Sequence, residues 1–279
     1  KGIVLSDPAQ SAPLLTAMAE SLKTAQVAAP IVDGVACKGV AQEVRDPADR
    51  RRVVGSVVLA TREDADKAVG IAAAHQDAWD RLGGEKRATI LEKAADLMEA
   101  RMAHLMALCV REAGKSVPNA QADVREAIDF LRYYAAEARA HFSVAMEMPG
   151  PTGERNELSL HGRGVIACIA PWNFPVAIFT GQVAAALAAG NSVIAKPAEQ
   201  TPLAAAAIIR LMHEAGVPAG VLHFLPGEGS EVGAALVSNP LVAGVAFTGS
   251  TETARIISRT LANREGPIAT LIAETGGQN

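Results

Sequence analysis

Thirty-two consecutive residues, 164–195, carry no charged side chain, and this run constrains the fold more than any other feature of the sequence. Its length would suffice for a membrane-spanning helix. Pro171, Pro175, Gln182 and Asn191 interrupt it, however, and in lipid they would leave backbone and amide groups without hydrogen-bond partners. We therefore interpret the run as a buried strand, loop, helix and turn, and we predict no membrane span.

The composition excludes several classes of protein. The chain has 26 Lys and Arg residues against 30 Asp and Glu residues, a net charge of −4, which is too balanced for a protein that binds nucleic acid through a basic face. Its 3 cysteines, Cys37, Cys109 and Cys168, are widely spaced and form no Cys-x-x-Cys pair. Neither a disulfide framework nor a metal site is indicated, and a reducing cytoplasm suits the chain best.

The first half of the chain has a helical pattern. Apolar residues recur at spacings of three and four and predict amphipathic helices over 63–82, 85–113 and 120–143. Turn signals between short apolar runs predict hairpin strands over 31–58.

From residue 164 the pattern changes to short apolar strands alternating with helices. This order predicts an α/β fold on a doubly wound, mostly parallel, Rossmann-like sheet, preceded by the amphipathic helical segment. The predicted strands are 165–170, 192–196, 221–225, 242–247 and 268–273, and the predicted helices are 176–189, 202–215, 230–238 and 251–262. The chain is predicted to have four parts. Residues 1–29 are a linker, a leader from an upstream domain or a loosely attached helix. They are followed by the N-terminal helical part of a ligand-binding domain (30–147), a turn with a candidate hairpin arm (148–163) and the alternating core (164–279).

Ligands on such sheets bind beyond the carboxyl ends of the strands, so the residues there form the candidate site. After the first strand, Asn173 lies between Pro171 and Pro175, which stiffen the loop. A fixed side-chain amide is the kind of donor that an oxyanion hole requires. The alternative, held equally open, is that Asn173 only caps the following helix.

Lys196 and Glu199 follow the second strand, in a loop that ends where Thr201 and Pro202 predict the N-cap and first residue of a helix. Their position suits the hydroxyl groups of a ribose, although a Lys and a Glu in a loop are more often a solvated pair. The third strand leads to glycines ahead of a helix, among them Gly229, but the sequence is not a clean Gly-x-Gly-x-x-Gly fingerprint.

The fourth strand turns through Thr248, Gly249 and Ser250 into a helix, whose free amides and dipole predict an anion site to which the hydroxyls add donors. The fifth strand ends at Glu274, ahead of Gly276 and a second glycine. A carboxylate that leads a Gly-Gly turn can approach a ligand closely and act as a general base through water. The alternative is a glutamate that only accepts hydrogen bonds from the turn amides.

Together these motifs resemble the NAD(P)-dependent aldehyde dehydrogenase superfamily, in order and in spacing, over residues 30–279. The motifs are Pro171-Trp172-Asn173-Phe174-Pro175, Lys196-Pro197-Ala198-Glu199-Gln200-Thr201-Pro202, Phe247-Thr248-Gly249-Ser250-Thr251-Glu252 and Glu274-Thr275-Gly276-Gly277. Segments 112–119 and 124–134, with Thr275 and Gln278, resemble the branch that oxidises L-glutamate γ-semialdehyde. Residues 119–134 are similar to the bacterial bifunctional enzymes of proline utilisation, in which this domain follows a flavin-dependent proline dehydrogenase.

The resemblance implies a role for each matching position. Asn173 would be the oxyanion-hole amide, and Glu274 the base that activates the hydrolytic water. Glu199 would favour NAD over NADP, because a carboxylate repels a 2′-phosphate. The cofactor-binding residues implied are Ile169, Ala170, Pro171, Trp172, Lys196, Glu199, Gly229, Phe247, Thr248, Gly249, Ser250 and Gly276, and the substrate-binding candidates are Glu126 for the amino group and Phe174 for the aliphatic chain.

One departure from the family concerns the nucleophile. The family's cysteine lies well after the Glu-x-Gly-Gly motif, and none of the three cysteines matches that position. We therefore expect a chain that stops before the nucleophile and its catalytic domain, and that cannot oxidise an aldehyde alone. A catalytically inactive NAD-binding or scaffold module is the alternative. The resemblance further implies a small aldehyde substrate and a homo-oligomer that forms through a hairpin arm including residues 158–161.

Overall fold

The computed structural model describes residues 2–276, so Gly277 and Gln278 of the sequence motifs lie outside the described residues. The helices are α1 (Pro8–Ser21), α2 (Arg62–Arg81), α3 (Gly84–Ala100), α4 (Met102–Glu112), α5 (Val117–Phe142), α6 (Ala177–Ala188), α7 (Pro202–Ala215), α8 (Ala234–Ser238) and α9 (Thr251–Asn263). The strands are β1 (Gln26–Ala28), β2 (Ile31–Val32), β3 (Val35–Ala36), β4 (Ala41–Arg45), β5 (Val53–Val58), β6 (Met146–Met148), β7 (Asn156–Leu158), β8 (Val165–Ile169), β9 (Ser192–Lys196), β10 (Leu222–Phe224), β11 (Val242–Gly249) and β12 (Thr270–Thr275). A π-helical turn, Gly229–Gly233, leads into α8.

The central sheet has seven strands in the order β12-β11-β8-β9-β10-β2-β3. Strands β8 to β12 run parallel, and the β2–β3 hairpin adds an antiparallel edge. The predicted α/β fold with a doubly wound, mostly parallel sheet is confirmed. From β8 the chain proceeds to β9 and β10 on one side, whereas β11 and β12 lie on the other side. The direction of winding therefore reverses between β8 and β11.

The uncharged run forms β8, the loop after it, α6 and the turn into β9. All 5 residues of β9 are buried, as is typical of a parallel strand that helices cover on both faces. In α6, 9 of the 12 residues are buried, which explains why this helix carries no charged face. Within residues 2–276, no helix is both long and apolar enough to cross a bilayer. The same residues include no group of three or more His, Cys, Asp or Glu side chains arranged to hold a metal ion.

The remaining elements pack around this sheet. In the first 29 residues, α1 packs against α4 and buries Leu14 and Met18. Strand β1 pairs with β5 in a separate three-stranded sheet of order β1-β5-β4. Strands β6 and β7 form an exposed antiparallel hairpin in the region of the expected arm.

The prediction of one continuous helix over 85–113 is wrong, because α3 ends at Ala100 and α4 begins at Met102. Arg101 between them has φ −109° and ψ 21°, outside helical values. Its guanidinium forms an ion pair with Glu214 on α7, with an N to O distance of 3.0 Å. Buried apolar residues continue on both sides of the break, and neither Gly nor Pro marks it, so the sequence pattern contains no sign of it.

A buried arginine holds the carboxyl ends of two helices. Arg87 on α3 is 1% exposed. Its Nε donates to the carbonyl of Ala188 at the end of α6, at 3.1 Å, and its Nη1 donates to the carbonyl of Asp80 near the end of α2, at 2.6 Å. The last carbonyls of a helix lack partners within the helix, and the helix dipole favours a positive charge there. Arg87 therefore ties α2, α3 and α6 together.

A buried histidine holds the hairpin at the sheet edge. His223 in β10 is 0% exposed. Its Nδ1 accepts a hydrogen bond from the N–H of Asp33 at 3.1 Å, and its Nε2 donates to the carbonyl of Gly220 at 3.1 Å. Asp33 lies in the β2–β3 turn with φ +52°. These bonds require the neutral ring, and burial lowers the pKa of His223 to about 4.

A histidine whose pKa is lowered by folding stabilises the protein fully above its unfolded pKa, and this contribution is lost as the pH falls through the folded pKa. We expect His223 to lower the free energy of unfolding by about 3 kcal/mol between pH 6.5 and pH 4. His223→Asn keeps an acceptor for Asp33 and removes the titration, so urea titrations of this variant should show a smaller loss. His141→Asn, at an exposed site on α5, is the control, and its free energy of unfolding should fall over this pH range by as much as that of the wild type. Equal losses in H223N and wild type would contradict the prediction.

Candidate functional site

The carboxyl ends of β8 and β11 meet where the winding of the sheet reverses, which is where open α/β sheets bind ligands. Gln182 on α6 spans the two strand ends. Its Nε2 donates to the carbonyl of Ile169 at 3.3 Å and to Oγ1 of Thr248 at 3.0 Å. Its Oε1 is buried and has no hydrogen-bond partner among the residues described. The amide therefore retains an unused acceptor at the reversal point.

Asn173 lies in the loop between β8 and α6, half-buried beside Trp172, which is 56% exposed. Helix α6 begins at Ala177, whose N–H donates to the carboxylate of Asp123 at 2.7 Å. The N-cap position of α6 supplies no side-chain hydrogen bond. Asn173 is therefore not the capping residue of α6, and its amide makes no hydrogen bond within residues 2–276.

A buried ion pair lies beside this loop. Asp123 on α5 is 0% exposed, and its second oxygen accepts a hydrogen bond from Nζ of Lys115 at 2.8 Å. The Lys115 ammonium also lies 4.0 Å from the centre of the Phe174 ring, within range for cation–π attraction. Asp123 and Lys115 thereby join the start of α6 to a residue of the loop.

The two substrate-binding candidates flank this ion pair. Glu126 lies one turn after Asp123 on α5 and is exposed. Partial burial, followed by the charge of Asp123, raises the pKa of Glu126, and the charge of Lys115 opposes this effect. Phe174 is 38% exposed. The structure thus places both candidates next to one buried carboxylate and its ammonium partner.

Lys196 and Glu199 are not a solvated ion pair. Lys196 is 3% exposed, and its Nζ donates to the carbonyl of Pro197 at 2.9 Å. Burial lowers the pKa of Lys196, and the charge of Glu199 opposes this effect. Glu199 is exposed, and its Oε1 accepts a hydrogen bond from the N–H of Gly229 at 2.7 Å. Glu199 therefore links the loop after β9 to the glycine turn after β10.

The loop after β9 ends at α7, which a distant carboxylate caps. Glu112, the last residue of α4, is 4% exposed, and its two oxygens accept hydrogen bonds from the N–H groups of Leu203 at 2.6 Å and Ala204 at 2.8 Å. Thr201 occupies the predicted N-cap position, but its side chain makes no capping bond. Burial raises the pKa of Glu112 to about 8, and the two amide donors oppose this effect.

Helix α9 begins directly after β11. Ser250 is its N-cap, and the Ser250 Oγ accepts a hydrogen bond from the N–H of Thr253 at 3.1 Å, so this hydroxyl already serves the helix. The N–H groups of Thr251 and Glu252 have no acceptor within the helix. These amides and the positive end of the helix dipole form the anion-accepting part of the site.

Glu274 lies in β12, opposite Thr248 in the ladder with β11. It lines a cavity of about 370 Å³, together with Gln182, Thr248 and Tyr134. Gly276, which follows it, has φ +75°, a conformation that favours glycine. The candidate base and the amide at the reversal point therefore share one cavity.

The other predicted cofactor-binding residues lie along the same edge of the sheet. Their positions differ in exposure: Ile169 is half-buried at the end of β8, Ala170 is buried, Pro171 is half-buried, Gly229 is exposed, Phe247 is buried and Gly249 is half-buried.

None of the three cysteines is an activated thiol. Cys168 in β8 and Cys109 on α4 are buried, and burial raises the pKa of both thiols. Burial, followed by the charge of Asp64, raises the pKa of Cys37. Each thiol is therefore protonated at neutral pH, whereas a nucleophilic cysteine reacts as the thiolate.

Four polar residues whose contacts lie beside this site were absent from the sequence prediction of it: Glu112, Lys115, Asp123 and Gln182. Asp123 falls on the stripe of α5 that also buries Ala120 and Ala127. A charged residue on an apolar stripe indicates a buried charge with a partner, so this position was detectable. Its partner Lys115 and the amide of Ala177 are distant enough in sequence that no local pattern identifies them.

A comparison with known protein families identifies the family of the chain. Residues 35–279 match the model of the aldehyde dehydrogenase family. The chain belongs to the aldehyde dehydrogenase family. The resemblance inferred from the four motifs is thereby confirmed.

Three proteins of known name are similar to this aldehyde dehydrogenase chain. It is 46% identical over 281 residues to the bifunctional protein PutA of Klebsiella aerogenes, a match that covers 100% of this chain and 20% of that protein. It is 42% identical over 237 residues to the 1-pyrroline-5-carboxylate dehydrogenase of Bacillus mycoides, covering 84% of this chain and 46% of that protein. A structure of 1-pyrroline-5-carboxylate dehydrogenase from Thermus with bound NAD has a TM-score of 0.94 at 35% identity, covering 100% of this chain and 55% of that chain. The chain spans less than two thirds of the length of each relative.

The turn into α9 requires glycine at position 249. A Cβ added at Gly249 would lie 2.6 Å from Cζ of Phe247, a residue that is 5% exposed. We expect Gly249→Ala to lower the free energy of unfolding by about 1–3 kcal/mol, because the buried ring must shift. Gly70→Ala is the control, since Gly70 lies within α2 and a Cβ there meets no atom within 4 Å. It should raise the free energy of unfolding by about 0.5–1 kcal/mol. Chemical denaturation measures both, and a G249A variant as stable as the wild type would contradict the prediction.

Proposed function

We propose that this chain is the NAD-binding part of an enzyme that oxidises L-glutamate γ-semialdehyde, the open form of 1-pyrroline-5-carboxylate, to L-glutamate. The observation that carries the proposal is that a free amide at Asn173, the N-terminus of α9 and the carboxylate of Glu274 lie at one edge of an aldehyde dehydrogenase sheet. The names of the relatives, 1-pyrroline-5-carboxylate dehydrogenase and bifunctional PutA, support this substrate.

The residues at this edge fit a dinucleotide. Lys196 supplies a buried ammonium and Glu199 an exposed carboxylate, a donor and an acceptor for ribose hydroxyls. The amides at the start of α9 suit a pyrophosphate. NAD, when bound, supplies the acceptor for the hydride that leaves the aldehyde carbon. Glu199, anchored by the N–H of Gly229, favours NAD because its carboxylate bonds a 2′-hydroxyl and repels a 2′-phosphate.

The chain's own residues have separate roles in this proposal. The family's cysteine, which none of the three cysteines here matches, would add as a thiolate to the aldehyde carbon, and the Asn173 side-chain N–H donates to the aldehyde oxygen as negative charge develops on it. Once the hydride has left, the carbon is held as a thioester, and Glu274 accepts a proton from the water that attacks it, so that L-glutamate is released and the thiol is restored. Glu126 pairs with the substrate's ammonium group, and Phe174 packs against its aliphatic chain. The Lys115 ammonium, on the Phe174 ring, keeps that ring in place.

We also propose that the full-length protein carries a flavin-dependent proline dehydrogenase upstream of this chain and assembles into a homo-oligomer. The word bifunctional in the name of the PutA relative supports the first part. The β6–β7 hairpin supports the second, because its Met146 and Leu158 side chains are 58% and 49% exposed. An isolated two-stranded hairpin is only marginally stable in water, so a partner surface would stabilise this one.

Cofactor binding can be followed by tryptophan fluorescence. Of the 2 tryptophans, Trp172 is 56% exposed beside the proposed cleft, whereas Trp79 is 2% exposed and donates to the carbonyl of Leu187. We expect NAD to quench the fluorescence and NADP to do so only at higher concentration. Trp172→Phe should abolish the quenching. Glu199→Gln should narrow the difference in affinity between NAD and NADP, because it removes the carboxylate charge. No quench with either cofactor would count against the proposed cleft.

The proposed reaction can be tested in the full-length protein by the appearance of NADH from L-glutamate γ-semialdehyde. We expect Asn173→Ala to lower kcat by about 10²–10³-fold, because one oxyanion donor is lost, with the dissociation constant of NAD unchanged. Asn263→Ala, at the exposed far end of α9, should leave kcat unchanged. A wild-type protein that binds NAD and oxidises no aldehyde would contradict the proposal and favour a binding or scaffold module.

A further inference from the structure

Two buried carboxylates that hold no proposed role occupy equivalent places in the fold. Glu112 ends α4, and Asp123 lies near the start of α5, so both come from the helical layer and not from the sheet edge. They are 4% and 0% exposed. Each accepts hydrogen bonds from backbone N–H groups in the first turn of a helix that follows a loop of the candidate site.

Neither of these helices has a capping side chain of its own. The residue before α6 is Val176, which offers no side-chain acceptor, and the Thr201 hydroxyl before α7 makes no capping bond. The first N–H groups of a helix have no partner within it, and Ala177, Leu203 and Ala204 are all buried. The starts of α6 and α7 therefore depend on carboxylates supplied by α5 and α4.

From this arrangement we infer that Glu112 and Asp123 are positioning residues, each of which sets one half of the proposed site. Asp123 sets the loop that carries Asn173, and Glu112 sets the loop that carries Lys196 and Glu199. This inference rests on the proposed function, because it assigns effects to the aldehyde half and the cofactor half of that site.

The loops are short enough to transmit a shift. Asn173 is 4 residues before Ala177, and Glu199 is 4 residues before Leu203. A displacement of either helix start must therefore move the functional side chain ahead of it. A misplacement of about 1 Å in a catalytic group can cost about 10²-fold in rate, so anchoring at the helix start has a measurable effect.

The two anchors act on different halves because their contacts do not overlap. Asp123 binds the amide of Ala177 and the ammonium of Lys115, which also contacts the Phe174 ring, and it accepts a hydrogen bond from the Cys109 thiol of α4 at 3.8 Å. Two of these three partners lead to the Asn173 loop, and none of them belongs to α7. Glu112 binds only the two amides of α7 and forms no ion pair within residues 2–276.

The test compares isosteric variants in the full-length protein. Glu112→Gln should raise the dissociation constant of NAD, measured by isothermal titration calorimetry, by about tenfold and leave kcat at saturating NAD unchanged. Asp123→Asn should lower kcat by about 10²-fold and leave the dissociation constant of NAD unchanged. If an isosteric variant fails to fold, Glu112→Asp or Asp123→Glu, which retains the carboxylate at a changed length, should show the same split to a smaller degree.

Asp46→Asn is the matched control. Asp46 is 1% exposed and paired with Arg52 and Arg111, but it caps neither α6 nor α7. This variant should lose stability and keep both the NAD affinity and kcat of the wild type. The inference is overturned if Glu112→Gln and Asp123→Asn change both quantities alike, or change neither, as Asp46→Asn does. Failure of the proposed function is distinguishable, because the wild type would then produce no NADH from the semialdehyde.

Discussion

Parallel strands must be covered on both faces, and this requirement governs the rest of the structure. The β9 strand is buried along its whole length, and 9 of the 12 residues of α6 and 11 of the 14 residues of α7 are buried. Helices buried to this degree cannot expose their first N–H groups to water. The polar side chains that satisfy those groups must come from elsewhere, and the chain supplies them from its helical first half.

The sheet was largely predictable from the sequence, because its strands and helices alternate with clear turn signals and its polar residues cluster at the strand ends. Each predicted strand overlaps one in the structure, and the motif residues at their ends lie along one edge. The break at Arg101 was not predictable, because neither Gly nor Pro marks it and buried apolar residues continue on both sides of it. The caps of α6 and α7 were missed because their partners are distant in sequence: a local rule assigns capping to Thr201, whereas the structure uses Glu112.

Burying a carboxylate has a cost in desolvation free energy, and Asp123 and Glu112 are compensated for it in different ways. Asp123 is compensated by the Lys115 ammonium as well as by an amide. Glu112 relies on two amides and the dipole of α7, and its raised pKa reflects the incomplete compensation. An apolar pair at these places would avoid the cost, but it would leave buried amides unpaired and the loops before the helices free to shift.

Helix α6 is held at both ends by buried charges of the sign that its dipole favours, Asp123 at its start and Arg87 at its last carbonyl. Sliding along its own axis would break both contacts at once. The helix therefore fixes the distance between the Asn173 loop and the turn at Asn191. Neither contact involves Trp172, which is 56% exposed, so the restraint on α6 does not extend to the outer part of that loop.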